Sequence, residues 1–120
     1  MSIFLIVAAA LSCGDRTSDV ELDYAPNELA YQALVQGDLR AAGRQLEASR
    51  MENRNDPAWL LNYGQWLVRS GRVNEANAVF RHVANVPDTD IVLASGEVVG
   101  SQEVSRRAMR SLRANSLAAR

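Results

Sequence analysis

The chain has no lysine; all 13 of its basic residues are arginine. This excludes a phosphate-loop lysine, a Schiff-base lysine and a Ser-x-x-Lys nucleophile. Cysteine and histidine occur once each, as Cys13 and His82. No intramolecular disulfide can form, and no metal site of the usual cysteine and histidine composition can be assembled. There is no glycine-rich phosphate loop, and no serine in a glycine-elbow context to pair with His82. A surplus of charge is also missing. Thirteen bases stand against 14 acids, whereas nucleic-acid binders carry a large basic excess. The expectation is one small domain without catalytic machinery, cofactor or nucleic-acid partner.

Long apolar runs are lacking too. Ile3 to Leu11 gives nine such residues, against the roughly 20 that cross a bilayer. The run has the length of a secretory signal core, and residues 1–12 read as a signal peptide. Ala10-Leu11-Ser12 has the small-x-small pattern of a signal-peptidase site, with cleavage before Cys13. Together with Cys13 it also resembles the lipobox of bacterial lipoproteins. That resemblance implies acylation of Cys13, and Gly14 beside it implies release to the outer membrane. The lipobox opens with Ala10 instead of Leu, Val or Ile, and residues 1–12 carry no basic head. Both readings place the protein outside the cytoplasm, in the periplasm or lipid-anchored to the bacterial envelope.

Residues 13–24 hold four acids, one base and little apolar content, and read as a flexible tether. Beyond them the chain repeats at a spacing of 34. Leu29 falls on Tyr63, Ala30 on Gly64, Gly37 on Gly71, Leu39 on Val73, Ala42 on Ala76 and Leu46 on Phe80. This period marks a helix-turn-helix repeat. The small residues at 30, 42, 64 and 76 let paired helices approach closely. Gly37 and Gly71 stand where a helix end needs a left-handed residue. Asp38 and Asn74 stand near the following helix starts, as capping residues do, and Asp56-Pro57 joins an acidic cap to a first-turn proline. Helices are predicted over 26–36, 39–53, 57–70 and 73–85.

The second copy reads Leu60-x-x-Tyr63-Gly64-x-x-Leu67, then Ala76-x-x-x-Phe80, then Pro87. It resembles the tetratricopeptide repeat (TPR), with Leu60, Tyr63 and Leu67 standing for that family's Trp, Leu and Tyr. Pro87 comes one residue early. The first copy, residues 23–56, keeps Ala30, Gly37, Ala42 and Leu46 and lacks the closing proline. Over residues 25–90 the resemblance implies two TPR-like helical hairpins, a fragment of a right-handed solenoid.

Residues 91–120 leave this pattern. Gly96 and Gly100 would each cost about 1 kcal/mol inside a helix, and Ile91-Val92 and Val98-Val99 favour strands. Ser95-Gly96 fits a two-residue hairpin turn that pairs Leu93 with Val98. Ser101 reads as the N-cap of a helix over 102–117. A degenerate third repeat is the alternative for this region. Two repeats rarely close a core, so a short C-terminal β-hairpin and a final helix are expected to cap a mainly α fold.

Trp59, Tyr63 and Trp66 share one helical face; Trp59 and Tyr63 read as core. The TPR resemblance implies a concave groove lined by the first helix of each copy. It runs past Asn27, Tyr31, Leu34 and Val35, then Leu61, Gln65, Val68 and Arg69. Asn27, Tyr31, Gln65 and Arg69, with Trp66 beside them, are its expected partner contacts. A second surface is C-terminal. Residues 101–120 hold five arginines against Glu103, with Arg106, Arg110 and Arg113 on one face and Val104, Ala108 and Leu112 on another. Such a helix grips an acidic partner, lies on an anionic membrane surface, or is simply a solvated outer face. The expected function is a non-enzymatic interaction scaffold or adaptor of the bacterial cell envelope, binding another envelope protein or peptide through the groove. The alternatives are a homo-oligomer that completes its solenoid by self-association and a membrane-surface binder.

Overall fold

The computed structural model of the chain describes residues 26–93 and 95–118. Cys13, the apolar run before it and the predicted tether lie outside the described residues. Six helices and two strands follow in order: α1 (Pro26–Gln36), α2 (Leu39–Ala48), α3 (Arg50–Asn53), α4 (Pro57–Arg69), α5 (Val73–Val83), β1 (Asp90–Val92), β2 (Val98–Gly100) and α6 (Ser101–Ala118).

Two glycines create the helical hairpins. Gly37 and Gly71 have φ of +80° and +82°, a conformation that side chains resist. After α1, Gly37 N–H donates to the Leu34 carbonyl at 3.1 Å and Asp38 N–H to the Ala33 carbonyl at 2.9 Å. After α4, Gly71 N–H donates to Val68 at 3.1 Å and Arg72 N–H to Leu67 at 2.8 Å. Both turns thus satisfy end carbonyls in the same double-bonded way, 34 residues apart. The next helix starts differ. Asp38 accepts from Ala41 N–H at 3.0 Å, whereas α5 opens at Arg72 with no side-chain cap. Asn74 therefore does not cap; it is an exposed residue inside α5. Asp56 caps α4 as expected, accepting from Ala58 N–H at 3.2 Å ahead of Pro57.

The predicted 39–53 helix breaks at Ser49. Its hydroxyl donates back to the Gln45 carbonyl at 3.0 Å and accepts from Trp59 Nε1 at 3.0 Å. A hydroxyl bonded to its own preceding turn bends a helix, and the indole fixes the bend in place.

The core gathers around α4, which is buried without interruption from Ala58 to Gln65. It packs against α5 on one side, α1 and α2 on another, and α6 on a third. Gly64 allows the closest of these approaches. A Cβ there would overlap the Phe80 ring, lying 2.7 Å from its Cζ.

The β-hairpin forms, with a register one residue from that expected. Val92 pairs with Val98, Ile91 with Val99 and Asp90 with Gly100. Leu93 faces Glu97, its N–H donating to the Glu97 carbonyl at 2.8 Å, and Gly96 N–H closes the turn on the Leu93 carbonyl at 2.8 Å. The loop has three residues, with Gly96 at φ +94° in its last position. That is the three-residue hairpin geometry, in which glycine ends the turn. Ile91 and Val99 turn into the core.

Ser101 does not cap α6 with its own side chain. The cap is Asp88, whose carboxylate accepts from Gln102 N–H at 2.9 Å and from the Ser101 hydroxyl at 3.3 Å. The Ser101 hydroxyl in turn accepts from Thr89 N–H at 3.0 Å. Gly100 leaves room for that carboxylate, since a Cβ would lie 2.7 Å from an Asp88 oxygen. Val104 and Ala108 then carry α6 onto α5 and α4. The chain is mainly helical, with one small antiparallel sheet and a C-terminal helix.

Candidate functional site

The candidate groove residues stand on α1 and α4, the helices whose packing joins the two hairpins. Asn27 is in α1, with its side chain outside the described residues. Tyr31 is half-buried on the same helix, and Gln65 is only 8% exposed. Arg69 reaches back to donate to the Leu34 carbonyl. That carbonyl belongs to the end turn of α1, so the guanidinium ties α4 to α1. Trp66 is half-buried between two apolar clusters: Ala33, Leu34 and Ala42 on one side and the main core on the other. Its Nε1 donates to the Leu39 carbonyl at 2.8 Å, and its ring lies against Gly43, where a Cβ would come within 2.8 Å. Trp66 and Arg69 are therefore engaged in packing the hairpins together, and Gln65 is buried on α4.

The aromatic face of α4 is a ladder. Trp59 and Tyr63 stack at 4.9 Å between centroids, and Tyr63 and Trp66 at 5.9 Å. Arg50 caps the Tyr63 ring at 5.3 Å and Arg72 the Trp66 ring at 5.5 Å. Each guanidinium also holds a carboxylate, Arg50 on Glu47 and Arg72 on Glu75. The ladder faces α2 through Ser49, Gly43 and Leu39, so it forms part of the interior. His82 is exposed, its Nε2 3.0 Å from Asn55 Oδ1.

The arginine face of α6 is different. Arg106, Arg110 and Arg113 are exposed, on the opposite side from buried Val104 and Ala108. Glu103 organises their near end. It pairs with Arg106 at 3.1 Å, with Arg107 at 3.3 Å and with Arg110 at 3.6 Å. Arg107 also reaches Glu97 at 3.5 Å and ties the hairpin to the helix. Two carboxylates thus stand among four guanidiniums, and the face keeps positive charge. Sequence reasoning missed Arg107 and Glu97 here, because their pairing depends on where the hairpin folds.

Hydrogen bonds from Arg106 and Arg107 hold the Glu103 carboxyl below the usual carboxylate range, and the charges of Arg106 and Arg110 add to this. A native pKa below the unfolded one favours the native state above about pH 4.3, the ordinary glutamate value. The contribution fades as pH falls through the depressed native value. Melting curves should therefore lose stability more steeply below about pH 5 in the wild type than in Glu103→Gln, with parallel profiles near neutrality. Equal acid slopes would show that Glu103 is not coupled to the arginines in solution.

Among the described residues no helix is long and apolar enough to cross a membrane. No protein family, curated protein or solved structure was found to match the chain.

Proposed function

We propose that this protein is a non-enzymatic interaction scaffold of the bacterial envelope, built from two TPR-like hairpins, and that an acidic protein segment docks on the arginine face of α6. What supports the docking site is the contrast between the two candidate surfaces. Trp66 and Arg69 are engaged in the seam between hairpins, and Gln65 is buried. Arg106, Arg110 and Arg113 lie exposed on a helix anchored by its other side. The TPR-like reading is supported by the matching end turns at Gly37 and Gly71 and by the Gly64–Phe80 approach.

A fluorescent polyglutamate peptide is the direct probe. It should bind at low salt and dissociate as salt rises, because exposed charges are screened over about 10 Å at 0.1 M. Arg106→Gln with Arg110→Gln should weaken binding about fivefold, the effect of two exposed ion pairs. Gln65→Ala with Arg69→Ala should not change it. Binding that survives the α6 pair overturns this reading. Uptake on anionic vesicles without peptide binding would instead make the face a membrane contact.

The envelope location rests on the Ile3–Leu11 run ending at Cys13. The mature chain should begin at Cys13 by intact mass. A soluble product that retains residues 1–12 would end the export reading.

A further inference from the structure

The arginines of α6 are not equally committed. Arg106 brings two nitrogens to one oxygen of the Glu103 carboxylate, Nε at 3.2 Å and Nη2 at 3.1 Å, both on Oε1. Arg107 holds Oε2 through Nε at 3.3 Å and reaches Glu97 with Nη1 at 3.5 Å. Arg110 Nη2 stands 3.6 Å from the same Oε2, beyond hydrogen-bond length, so charge alone holds it. Arg113 is exposed and pairs with no carboxylate among the described residues. It lies ten residues beyond Glu103, about 15 Å of helical rise. That is more than the roughly 10 Å over which charge is screened at 0.1 M salt. Exposure rises in the same direction, from 53% for the Arg106 side chain to 62% for Arg110. One carboxylate therefore neutralises the start of the arginine face and leaves its far end open.

We propose that Glu103 decides where on α6 the acidic segment docks: its carboxylate fills the place between Arg106, Arg107 and Arg110 that a partner's carboxylate would take, and so directs the segment to Arg110 and Arg113. This rests on the reading of α6 as the docking face. A partner acid arriving beside Arg106 meets the Glu103 charge, and like-charge repulsion offsets what the guanidinium offers. Arg107 is held from two sides, by Glu103 and by Glu97 of the hairpin loop. At Arg113 no acid of the described chain competes, and its planar fork of donors is free to take a carboxylate in two-point contact.

The test is a double-mutant cycle on binding of the fluorescent polyglutamate peptide at low salt. In the otherwise native chain, Arg110→Gln and Arg113→Gln should each weaken binding about threefold, within the range of exposed ion pairs, and Arg106→Gln less than about 1.5-fold. Glu103→Gln should tighten binding about threefold. In that background Arg106→Gln should cost about threefold, because the guanidinium is now free. Glu97→Gln removes the same unit of charge, but from Arg107 alone, and should leave the cost of Arg106→Gln as it was. Glu103 also lies in the first turn of α6, where an acid favours the helix dipole. A Glu103 with that structural role only would lower the melting temperature on substitution by Gln, without tightening the peptide or changing the cost of Arg106→Gln. That result overturns the proposal. So does a native chain in which Arg106→Gln costs as much as Arg113→Gln, or a Glu97→Gln that raises the Arg106 cost as Glu103→Gln does. If the peptide binds with the three arginines equivalent, the selection by Glu103 fails and the docking face stands. If it binds neither the native chain nor Glu103→Gln, both fail.

Discussion

Gly64→Leu should lower stability by about 3 kcal/mol or more, the upper part of the range for overpacking a filled core. For a domain of this size that is a fall of about 12 °C or more in melting temperature. Gly64 is on α4, and the atom a side chain would meet is on the Phe80 ring of α5. Phe80 is fully buried, so its ring has nowhere to turn. Even Gly64→Ala should destabilise, although alanine is the better helix former by roughly 0.5–1 kcal/mol. Gly96→Ala is the control. Nothing lies within 4 Å of a Cβ there, and only the positive φ is penalised, at about 1–2 kcal/mol. Gly64→Ala should also couple to Phe80→Leu, the double variant losing less than the sum of the singles. Equal losses at 64 and 96 would mean that α4 and α5 do not approach at Gly64.

Trp59→Ala should cost about 3–5 kcal/mol, as removal of a buried large aromatic does. Trp59 is 2% exposed, stacked on Tyr63 and bonded to the Ser49 hydroxyl. It joins the break between α2 and α3 to the centre of α4, so the loss should appear as one cooperative unfolding transition at lower denaturant. Trp59→Phe keeps a ring beside Tyr63 and loses the bond to Ser49, and should cost less. A loss below 1 kcal/mol for the alanine variant would place the indole outside the core.

Local chemistry made the helices readable. Gly37 and Gly71, and Asp56 with Pro57, act within one turn of themselves, so the end of α1, the start of α2, both ends of α4 and the start of α5 could be placed from sequence to within a residue. Tertiary contacts account for what could not. Ser49 breaks a helix because Trp59 reaches it from ten residues away. Asp88 caps α6 from across the hairpin. The strand register depended on whether Gly96 was the second of two loop residues or the last of three, and both use a positive φ. The candidate residues divided on the same ground. Exposure of Arg106, Arg110 and Arg113 followed from their helical spacing opposite Val104 and Ala108. Engagement of Trp66 and Arg69 depended on how tightly α1 and α2 close on α4, which Gly43 permits and periodicity does not reveal.

Amide shifts on titrating polyglutamate into the isotope-labelled chain locate the docking surface directly. The changes should concentrate on residues 102–113 and vanish in high salt, with Tyr31, Gln65 and Arg69 unmoved. Changes centred on Tyr31, Gln65 and Arg69, with Arg106 to Arg113 silent, would put the partner in the seam between α1 and α4 and leave the arginine face of α6 as solvated surface.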